Sequence, residues 1–261
     1  MSNDSTRTYK ITAKDKSPIS VTLSAPIIHA ENLYLQTWGS SFVLANLLHK
    51  LEDLPFDEKD ETDDTEPSMN IDILELGAGT GLVGLSAASI FQHKGKVILT
   101  DLPSIIPGLG QNIQLNEELV EGKGLERRVL CGSLDWNSPN ELVSYSSTEP
   151  DGTQTITPDR EEVKPLLILA ADTMYTEDHP RLLSQTIFTW LRKTPEARAL
   201  VCYPMRIAYL DVMREFWEVM EAGGLVCVQE GREELGEGMV GKEKEEWDDE
   251  RLHEWCIWKW Q

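Results

Sequence analysis

The sequence has little positive charge for its length. Of its 261 residues only 24 are Lys or Arg, against 45 Asp or Glu, and the formal net charge is -21. An acidic surface of this kind repels phosphate backbones, so nucleic acid is excluded as a general partner and a basic protein segment is favoured. The alternative interpretation, of about equal weight, is that the acidity only keeps the chain soluble.

The sequence also lacks paired cysteines and long apolar runs. Its four cysteines form no C-x-x-C pair: Cys131, Cys202, Cys227 and Cys256. No apolar run reaches the roughly 20 residues that a membrane span needs, and the first ten residues hold no apolar signal segment. We therefore expect no metal, no membrane and a reducing compartment, namely the cytosol, with the nucleus as an alternative.

What the sequence does contain is a glycine-rich turn between an apolar run and a helical pattern. Residues 71–84 read I-D-I-L-E-L-G-A-G-T-G-L-V-G. A buried strand that feeds a glycine turn and a helix N-terminus is how α/β proteins hold a nucleotide-like cofactor. Dinucleotide sites favour G-x-G-x-x-G, whereas Gly77, Gly79 and Gly81 form G-x-G-x-G after Glu75. This variant favours S-adenosylmethionine, whose charged ends are an amino acid and a sulfonium.

The rest of the chain predicts strands and helices that alternate around this turn. Four further apolar runs predict strands, at 96–100, 128–131, 166–171 and 197–203. Residues 225–229 and 256–260 indicate an antiparallel pair at one sheet edge. The predicted fold class is α/β: a Rossmann-like, seven-stranded, mostly parallel sheet with an antiparallel C-terminal hairpin and helices on both faces, plus an N-terminal β-hairpin and helix.

We expect one domain over residues 1–261. Its N-terminal part, 1–68, is predicted to hold a hairpin, a helix and an acidic loop, at 9–12 with 19–23, 37–54 and 53–68. The cofactor-binding core, 71–261, carries two polar insertions, 137–165 and 230–250. The first insertion is rich in Ser, Thr, Pro and acidic residues, which predicts one poorly formed helix in a flexible segment.

Polar and aromatic side chains follow the second and third predicted strands of the core. Asp101 lies 24 positions after Gly77, where a carboxylate can accept hydrogen bonds from both ribose hydroxyls of an adenosine; the alternative is an ordinary turn residue or helix cap. Trp136 can cover one face of the adenine, and Asp135 can accept from its exocyclic amine. The alternative for this tryptophan is packing beneath a loop.

A carboxylate also follows the most apolar run, L-L-I-L-A-A. Asp172 lies at the strand end where α/β sheets bind ligands, and its burial would be costly unless it borders a cavity or is well hydrogen-bonded. The alternative is a cap of the following helix. Far upstream, Trp38 precedes Gly39 and an amphipathic helix, where it can close over the cofactor; on spacing alone, core packing is the better interpretation.

Together these motifs resemble the protein-lysine methyltransferase group of seven-β-strand enzymes. That group includes enzymes that act on valosin-containing protein, heat-shock chaperones and translation elongation factors. The matching motifs occur in the family's order between residues 38 and 203: W-G-S-S-F-V-L-A, L-E-L-G-A-G-T-G-L-V-G, T-D-L-P, Q-N-I-Q-L-N, L-D-W and A-D-T-M-Y. One departure is T-M in the last motif, where relatives usually carry two aliphatic residues.

The resemblance implies S-adenosylmethionine as the cofactor and a lysine of a protein substrate as the methyl acceptor. It also implies that Asp172 and Tyr175 line the acceptor pocket and are the catalytic residues. With the motifs, it gives a cofactor-binding set: Trp38, Glu75, Gly77, Ala78, Gly79, Gly81, Asp101, Leu102, Asp135, Trp136 and Ala171. By analogy we expect the substrate to be a translation factor or a chaperone, and the protein to be a monomer. The alternatives are a small-molecule N- or O-methyltransferase and a non-catalytic docking member of the same fold.

Overall fold

The structure is a computed structural model that describes most of the chain. The described residues are 6–13, 17–24, 29–30, 33–34, 37–51, 71–91, 95–120, 128–145, 152–235 and 251–261. The strands in these ranges are β1 (Thr6–Ile11), β2 (Ile19–Ser24), β3 (His29–Ala30), β4 (Leu33–Tyr34), β5 (Ile71–Leu76), β6 (Lys96–Asp101), β7 (Val129–Leu134), β8 (Leu142–Tyr145), β9 (Thr153–Ile156), β10 (Leu167–Ala171), β11 (Arg198–Pro204), β12 (Leu225–Glu234) and β13 (Leu252–Trp260). The α-helices are α1 (Gly39–Leu47), α2 (Leu82–Ile90), α3 (Ile106–Leu115), α4 (Glu117–Val120), α5 (His179–Trp190) and α6 (Leu210–Ala222).

The main sheet has nine strands within the described residues. Their order is β12-β13-β11-β10-β5-β6-β7-β8-β9. The central five, from β11 to β7, pair in parallel, and the two strands at each end pair antiparallel. The predicted α/β class and the antiparallel C-terminal hairpin are confirmed. The sheet exceeds the predicted seven strands by β8 and β9.

The two additional strands come from the insertion at 137–165. In place of the predicted helix, its described residues form β8, β9 and a short 3-10 helix, Glu161–Val163. Leu142 and Ser144 of β8 are buried, while Val143 and Tyr145 are half-buried. This alternation has the period of a strand, and pairing with β7 satisfies backbone groups that an open sheet edge would leave exposed.

Apolar side chains fill both faces of the sheet. Because successive strand residues point to opposite faces, Ile73 belongs to the cluster that includes residues of α1, α2 and α3, and Leu74 to the cluster that includes residues of α5 and α6. All five residues of β10 are buried, as expected for a central parallel strand. The sheet is therefore held rigidly from both sides, and the carboxyl ends of its central strands are fixed relative to one another.

The N-terminal hairpin is confirmed as an antiparallel β1–β2 pair. Two asparagines of the α3 region attach it to the core. The Asn112 carboxamide accepts from Ser24 N–H at 2.8 Å and donates to the Ser24 carbonyl at 3.0 Å. Asn116 makes the same pair of bonds with Thr22, at 2.9 and 2.7 Å. Each amide thus completes backbone hydrogen bonds of β2 as a neighbouring strand would.

Helix boundaries differ from the predicted ones at a few points. The helix predicted after β6 begins only at Ile106, because residues 102–105 form a turn. Residues 52–70, which include the whole of the predicted acidic loop, and residues 236–250 of the second insertion lie outside the described residues. Residues 230–234 extend β12. None of the helices in the described ranges combines the length and apolar character that a bilayer crossing needs.

Candidate active site

A pocket of about 280 Å³ lies at the carboxyl ends of the central strands. This is the edge at which parallel α/β sheets bind ligands. It brings together eleven of the thirteen predicted site residues: Trp38, Gly77, Ala78, Gly79, Asp101, Leu102, Asp135, Trp136, Ala171, Asp172 and Tyr175. Glu75 and Gly81 do not line it. The parts that these residues play toward a cofactor or substrate stay predictions.

The glycine turn after β5 forms one wall of the pocket. Gly77 and Gly79 have φ angles of +66° and +54°, a region that other residues adopt only with strain. A Cβ on Gly77 would lie 2.8 Å from Thr173 Cγ2. Because these glycines carry no side chain, this wall consists of backbone atoms, and a ligand can contact them directly.

Asp101 ends β6 beside the glycine turn. Its Oδ2 accepts from Gly79 N–H and its Oδ1 from Leu102 N–H, both at 2.7 Å. Burial raises the pKa of Asp101, while these two hydrogen bonds lower it. The carboxylate keeps lone pairs toward the pocket, because each oxygen offers two acceptor sites. It is therefore fixed in one orientation and can still accept from a pair of vicinal hydroxyls.

Glu75 lies beneath the turn, 2% exposed, and not on the pocket wall. Its Oε2 accepts from Gly84 N–H at 2.9 Å. Burial raises the pKa of Glu75 to about 8, against the lowering effect of this hydrogen bond and with a further increase from Asp101. The side chain thus links the end of β5 to the first turn of α2.

Gly81 connects the turn to α2 and is also absent from the pocket wall. It has a φ of +85° and occupies the N-cap position. A Cβ here would lie 2.8 Å from Leu109 and 2.9 Å from Leu99. Gly81 therefore allows close packing between the turn, α3 and β6.

Trp38 also lines the pocket and is the N-cap residue of α1. The preceding hydroxyl, Thr37 Oγ1, lies 2.8 Å from Thr80 Oγ1 of the glycine turn. The Thr80 carbonyl in turn accepts from Asn112 at 2.9 Å. Trp38, the glycine turn and the N-terminal hairpin are thereby joined through one residue, Thr80.

The loop after β7 forms the third wall. Asp135 Oδ1 accepts from the backbone N–H of Asn137 at 2.9 Å and from its side-chain amide at 3.0 Å. Trp136 is half-buried, and its ring centroid lies 5.9 Å from that of His179 in an edge-on arrangement. The indole lines the pocket beside His179, and it also packs against the core cluster that includes residues of α5 and α6.

Asp172 lines the pocket directly after β10, the strand that pairs with β5. Its φ of +57° is the only positive value at a non-glycine residue among the described residues, and such strain is frequent at functional sites. Asp172 N–H donates to the Cys202 carbonyl at 2.9 Å, which fixes the backbone to β11. Its carboxylate Oδ1 accepts from Arg206 Nη1 at 3.4 Å. This partner explains how the chain holds a nearly buried charge at this position.

Tyr175 forms the rim next to Asp172 and is 40% exposed. Its backbone N–H donates to His179 Nδ1 at 3.3 Å, and the two rings meet edge-on with centroids 4.3 Å apart. Because Nδ1 accepts this bond, the neutral imidazole carries its proton on Nε2. His179 thus orders the tyrosine from the first turn of α5.

Comparison with known proteins identifies the family to which this site belongs. A profile described as lysine methyltransferase matches residues 29–222. This chain is a member of the lysine methyltransferase family. The protein-lysine N-methyltransferase rrg1 of Schizosaccharomyces pombe is 32% identical over 224 residues, which cover 85% of this chain and 63% of rrg1. The protein-lysine N-methyltransferase EFM2 of Saccharomyces cerevisiae is 28% identical over 227 residues, or 82% of this chain and 47% of EFM2.

The chain thus spans less than two thirds of the length of each of these relatives. Among solved structures, the Pyrococcus horikoshii protein PH0793 is similar over 98% of this chain and 72% of its own, with a TM-score of 0.50 and 12% identity. That similarity shows the fold alone. The predicted family and fold class are confirmed by these findings.

Two further residues at or beside this pocket, His179 and Arg206, were not among the predicted site residues. His179 lines the pocket, and its position seven residues after Asp172 was an available signal. Arg206 follows the carboxyl end of β11, the edge at which ligands bind, but its pairing with Asp172 joins positions 34 residues apart. No local pattern indicates a contact of that range.

Proposed function

We propose that this protein transfers methyl groups from S-adenosylmethionine to a lysine side chain of a protein substrate. The observation that carries the proposal is one pocket with a carboxylate on each side of the glycine turn after β5. The turn and the fixed carboxylate of Asp101, after β6, form what we call the first end; the nearly buried carboxylate of Asp172, after the neighbouring strand β10, marks the second end. Family membership supports the same reaction, and the names of the relatives rrg1 and EFM2 support lysine in a protein as the acceptor.

The residues of the first end fit S-adenosylmethionine. The side-chain-free wall at Gly77 and Gly79 suits the amino-acid tail, since backbone groups there can approach a ligand closely. Asp101 suits the ribose hydroxyls, and Trp136 with Asp135 suits the adenine. When bound, the cofactor supplies an electrophilic methyl group on a positively charged sulfur.

At the second end of the pocket, the main energetic cost is deprotonation of the acceptor lysine. A lysine with a pKa of about 10.4 is almost fully protonated at neutral pH, and deprotonation at pH 7 costs roughly 4–5 kcal/mol. Asp172 accepts a hydrogen bond from an N–H of the amine and so orients the nitrogen lone pair. Tyr175 lines the channel through which the amine enters. Catalysis then depends on positioning rather than on a strong base.

The substrate class and the setting are further parts of the proposal. A net charge of -21 favours a substrate whose acceptor lysine lies in a basic region. The family resemblance favours a translation factor or a chaperone as the substrate and a monomer as the enzyme, and the cysteine usage favours action in the cytosol, with the nucleus as a second location. A small-molecule acceptor is the alternative that the following experiment separates.

The direct test is incubation of the purified chain with tritiated S-adenosylmethionine and a lysate from cells that lack it. We expect label in one or a few protein bands, on lysine, as identified by mass spectrometry. Label confined to the small-molecule fraction would establish the small-molecule alternative, and no label in any fraction would leave only the docking member.

Asp172→Asn tests the acceptor end in the same assay. Asparagine tolerates the positive φ of this position but replaces one acceptor oxygen by an amide donor, which weakens both the hold on the amine and the pair with Arg206, so we expect at least a 100-fold loss of labelling. Calorimetry with S-adenosylhomocysteine should give unchanged affinity. The matched control is Asp211→Asn, because Asp211 is 91% exposed in its side chain and pairs with Arg214 on α6. Full activity of the Asp172 variant, or loss of its cofactor affinity, would contradict the assignment.

A further inference from the structure

Arg206 supplies the positive charge that faces Asp172. It lies two residues after the end of β11, and its Nη1 is 3.4 Å from Asp172 Oδ1. The two side chains are only 19% and 6% exposed, respectively. Asp172 lines the pocket, whereas Arg206 does not line it in the described part of the chain. The contact that joins Arg206 to the pocket lining is its ion pair with Asp172.

We propose that Arg206 is a positioning residue that neutralises the charge of Asp172, so that this end of the pocket orients an amine without favouring its protonated form. The inference rests on the proposed methyl transfer to lysine. It names Arg206 as the residue that keeps the Asp172 carboxylate from holding that lysine in its unreactive, protonated form. A lone carboxylate next to an amine favours the ammonium and raises its pKa by about one to three units. Only the neutral amine has the lone pair that attacks a methyl group.

Arginine is suited to this part. Its guanidinium stays protonated throughout the pH range in which proteins fold, so the compensation does not change as the pH changes. The carboxylate of Asp172 offers about four lone-pair sites. One of them accepts from Arg206, and others can accept an N–H of the substrate amine. The ion pair thus offsets the negative charge of Asp172 and leaves its carboxylate able to accept a hydrogen bond.

Other titratable groups also face this end of the pocket or lie against Asp172: Asp101, Asp135, Tyr175, His179 and Cys202. Asp101 and Asp135 come from β6 and from the loop after β7, Tyr175 and His179 from the segment after β10, and Cys202 from β11. All of them are the same in the wild type and in an Arg206 variant. The comparison of the two at each pH therefore isolates the guanidinium.

The test compares kcat and KM of the wild type and Arg206→Met between pH 6.5 and 10, with the purified substrate protein found by tritium labelling. Without the guanidinium, the bound lysine is held as ammonium. We expect kcat and KM to fall together by about 10-fold at pH 7, since one pKa unit is a factor of ten, while kcat/KM changes little. The acid limb of the kcat profile should move up by about one pH unit, and the two enzymes should converge only above the pKa of the bound amine in both.

Two further variants make the outcome decisive. Arg206→Lys keeps the charge and should restore most of kcat at pH 7. Arg214→Met removes an equal charge from an exposed pair with Asp211 and should leave kcat and KM unchanged. Affinity for S-adenosylhomocysteine should be the same in all four proteins.

A pH-independent loss of kcat/KM in Arg206→Met, or loss of S-adenosylhomocysteine affinity, would show that the arginine only supports the shape of the pocket. Failure of Arg206→Lys to restore kcat would likewise overturn charge compensation. If the wild type labels no protein, the proposed function itself is wrong and the inference falls with it. A wild type that labels protein while Arg206→Met behaves identically would refute this inference alone.

Discussion

Glu75 belongs to the glycine-turn motif, and the contact that the structure gives it is a hydrogen bond that joins β5 to α2. It is the carboxylate before the three glycines, which is why the sequence predicts that it contacts the cofactor, but it lies under the turn and accepts from Gly84 N–H. A Cβ on Gly84 would lie 2.5 Å from Glu75 Oε2. The pair thus lets α2 start close to the end of β5, and this spacing shapes the turn that forms the wall of the pocket.

The raised pKa of Glu75, about 8 in the folded chain, makes stability depend on pH. Below its unfolded pKa of about 4.5 the group is protonated in both states and has no effect. Between that pH and about 8 the unfolded chain releases the proton while the folded chain keeps it, so stability falls as the pH rises. Above about 8 the loss is complete and on the order of 5 kcal/mol.

Glu75→Gln should remove this dependence. Its amide oxygen can still accept from Gly84, but no proton is exchanged. We expect the variant to match the wild type within about 1 kcal/mol at pH 5 and to exceed it by a few kcal/mol at pH 8.5, as measured by urea unfolding at each pH. Glu218→Gln, at an exposed position of α6, is the control and should follow the wild type. A Glu75 variant that is less stable than the wild type at pH 8.5 would contradict the argument.

At the residue scale, the sequence predicts positions better than partners. Gly77, Gly79, Asp101 and Asp172 follow strands, and strand ends can be recognised from apolar runs, so their presence at one pocket was predictable. The ion pair of Asp172 with Arg206 and the bond of Asp101 with Gly79 depend on how strands lie side by side. Those relations are set by tertiary packing, which no local pattern records.

At the scale of elements, Asn112 connects the N-terminal hairpin to the glycine turn. Its amide makes two bonds to Ser24 of β2 and donates a third to the Thr80 carbonyl at 2.9 Å. Asn112 is fully buried, so each lost bond would leave a buried polar group unsatisfied. Such groups cost about 1–3 kcal/mol each.

Asn112→Ala should therefore weaken both stability and cofactor binding. We expect a loss of about 3 kcal/mol in unfolding free energy and a drop of roughly 10-fold in S-adenosylhomocysteine affinity by calorimetry. Asn46→Ala is the matched control, because Asn46 also holds the hairpin, by accepting from Thr12 N–H at 3.0 Å, without contact to Thr80. It should lower stability alone. Unchanged cofactor affinity in the Asn112 variant would show that the hairpin and the turn are independent.

Among the elements, the central strands and their helices were predictable, whereas β8 and β9 were not. Each of these two strands has only four residues, too few for a clear alternation, and they lie in a segment rich in turn-forming residues. Their stability comes from pairing with β7 and with each other, which is long-range information. The long apolar runs of β5 and β10, by contrast, indicate buried parallel strands by themselves.

For the whole molecule, the net charge of -21 acts against the folded state. Folding brings the acidic side chains closer together than they are in the expanded chain, so mutual repulsion lowers stability at low ionic strength. Salt reduces this repulsion, since the Debye length falls from about 30 Å at 0.01 M to about 8 Å at 0.15 M. Exposed ion pairs such as Arg214 with Asp211 weaken under the same conditions, but each contributes little.

We therefore expect the melting temperature at pH 7.5 to rise by about 2–4 °C between 10 and 150 mM NaCl, which corresponds to roughly 1 kcal/mol for a chain of this size. The increase should vanish near pH 4.6, the isoelectric point, where the repulsion is gone. Differential scanning calorimetry at both pH values measures it. Methylation of a basic substrate should respond in the opposite direction, because salt also weakens the attraction that brings enzyme and substrate together. A melting temperature that falls with salt at pH 7.5 would mean that local ion pairs outweigh the net charge.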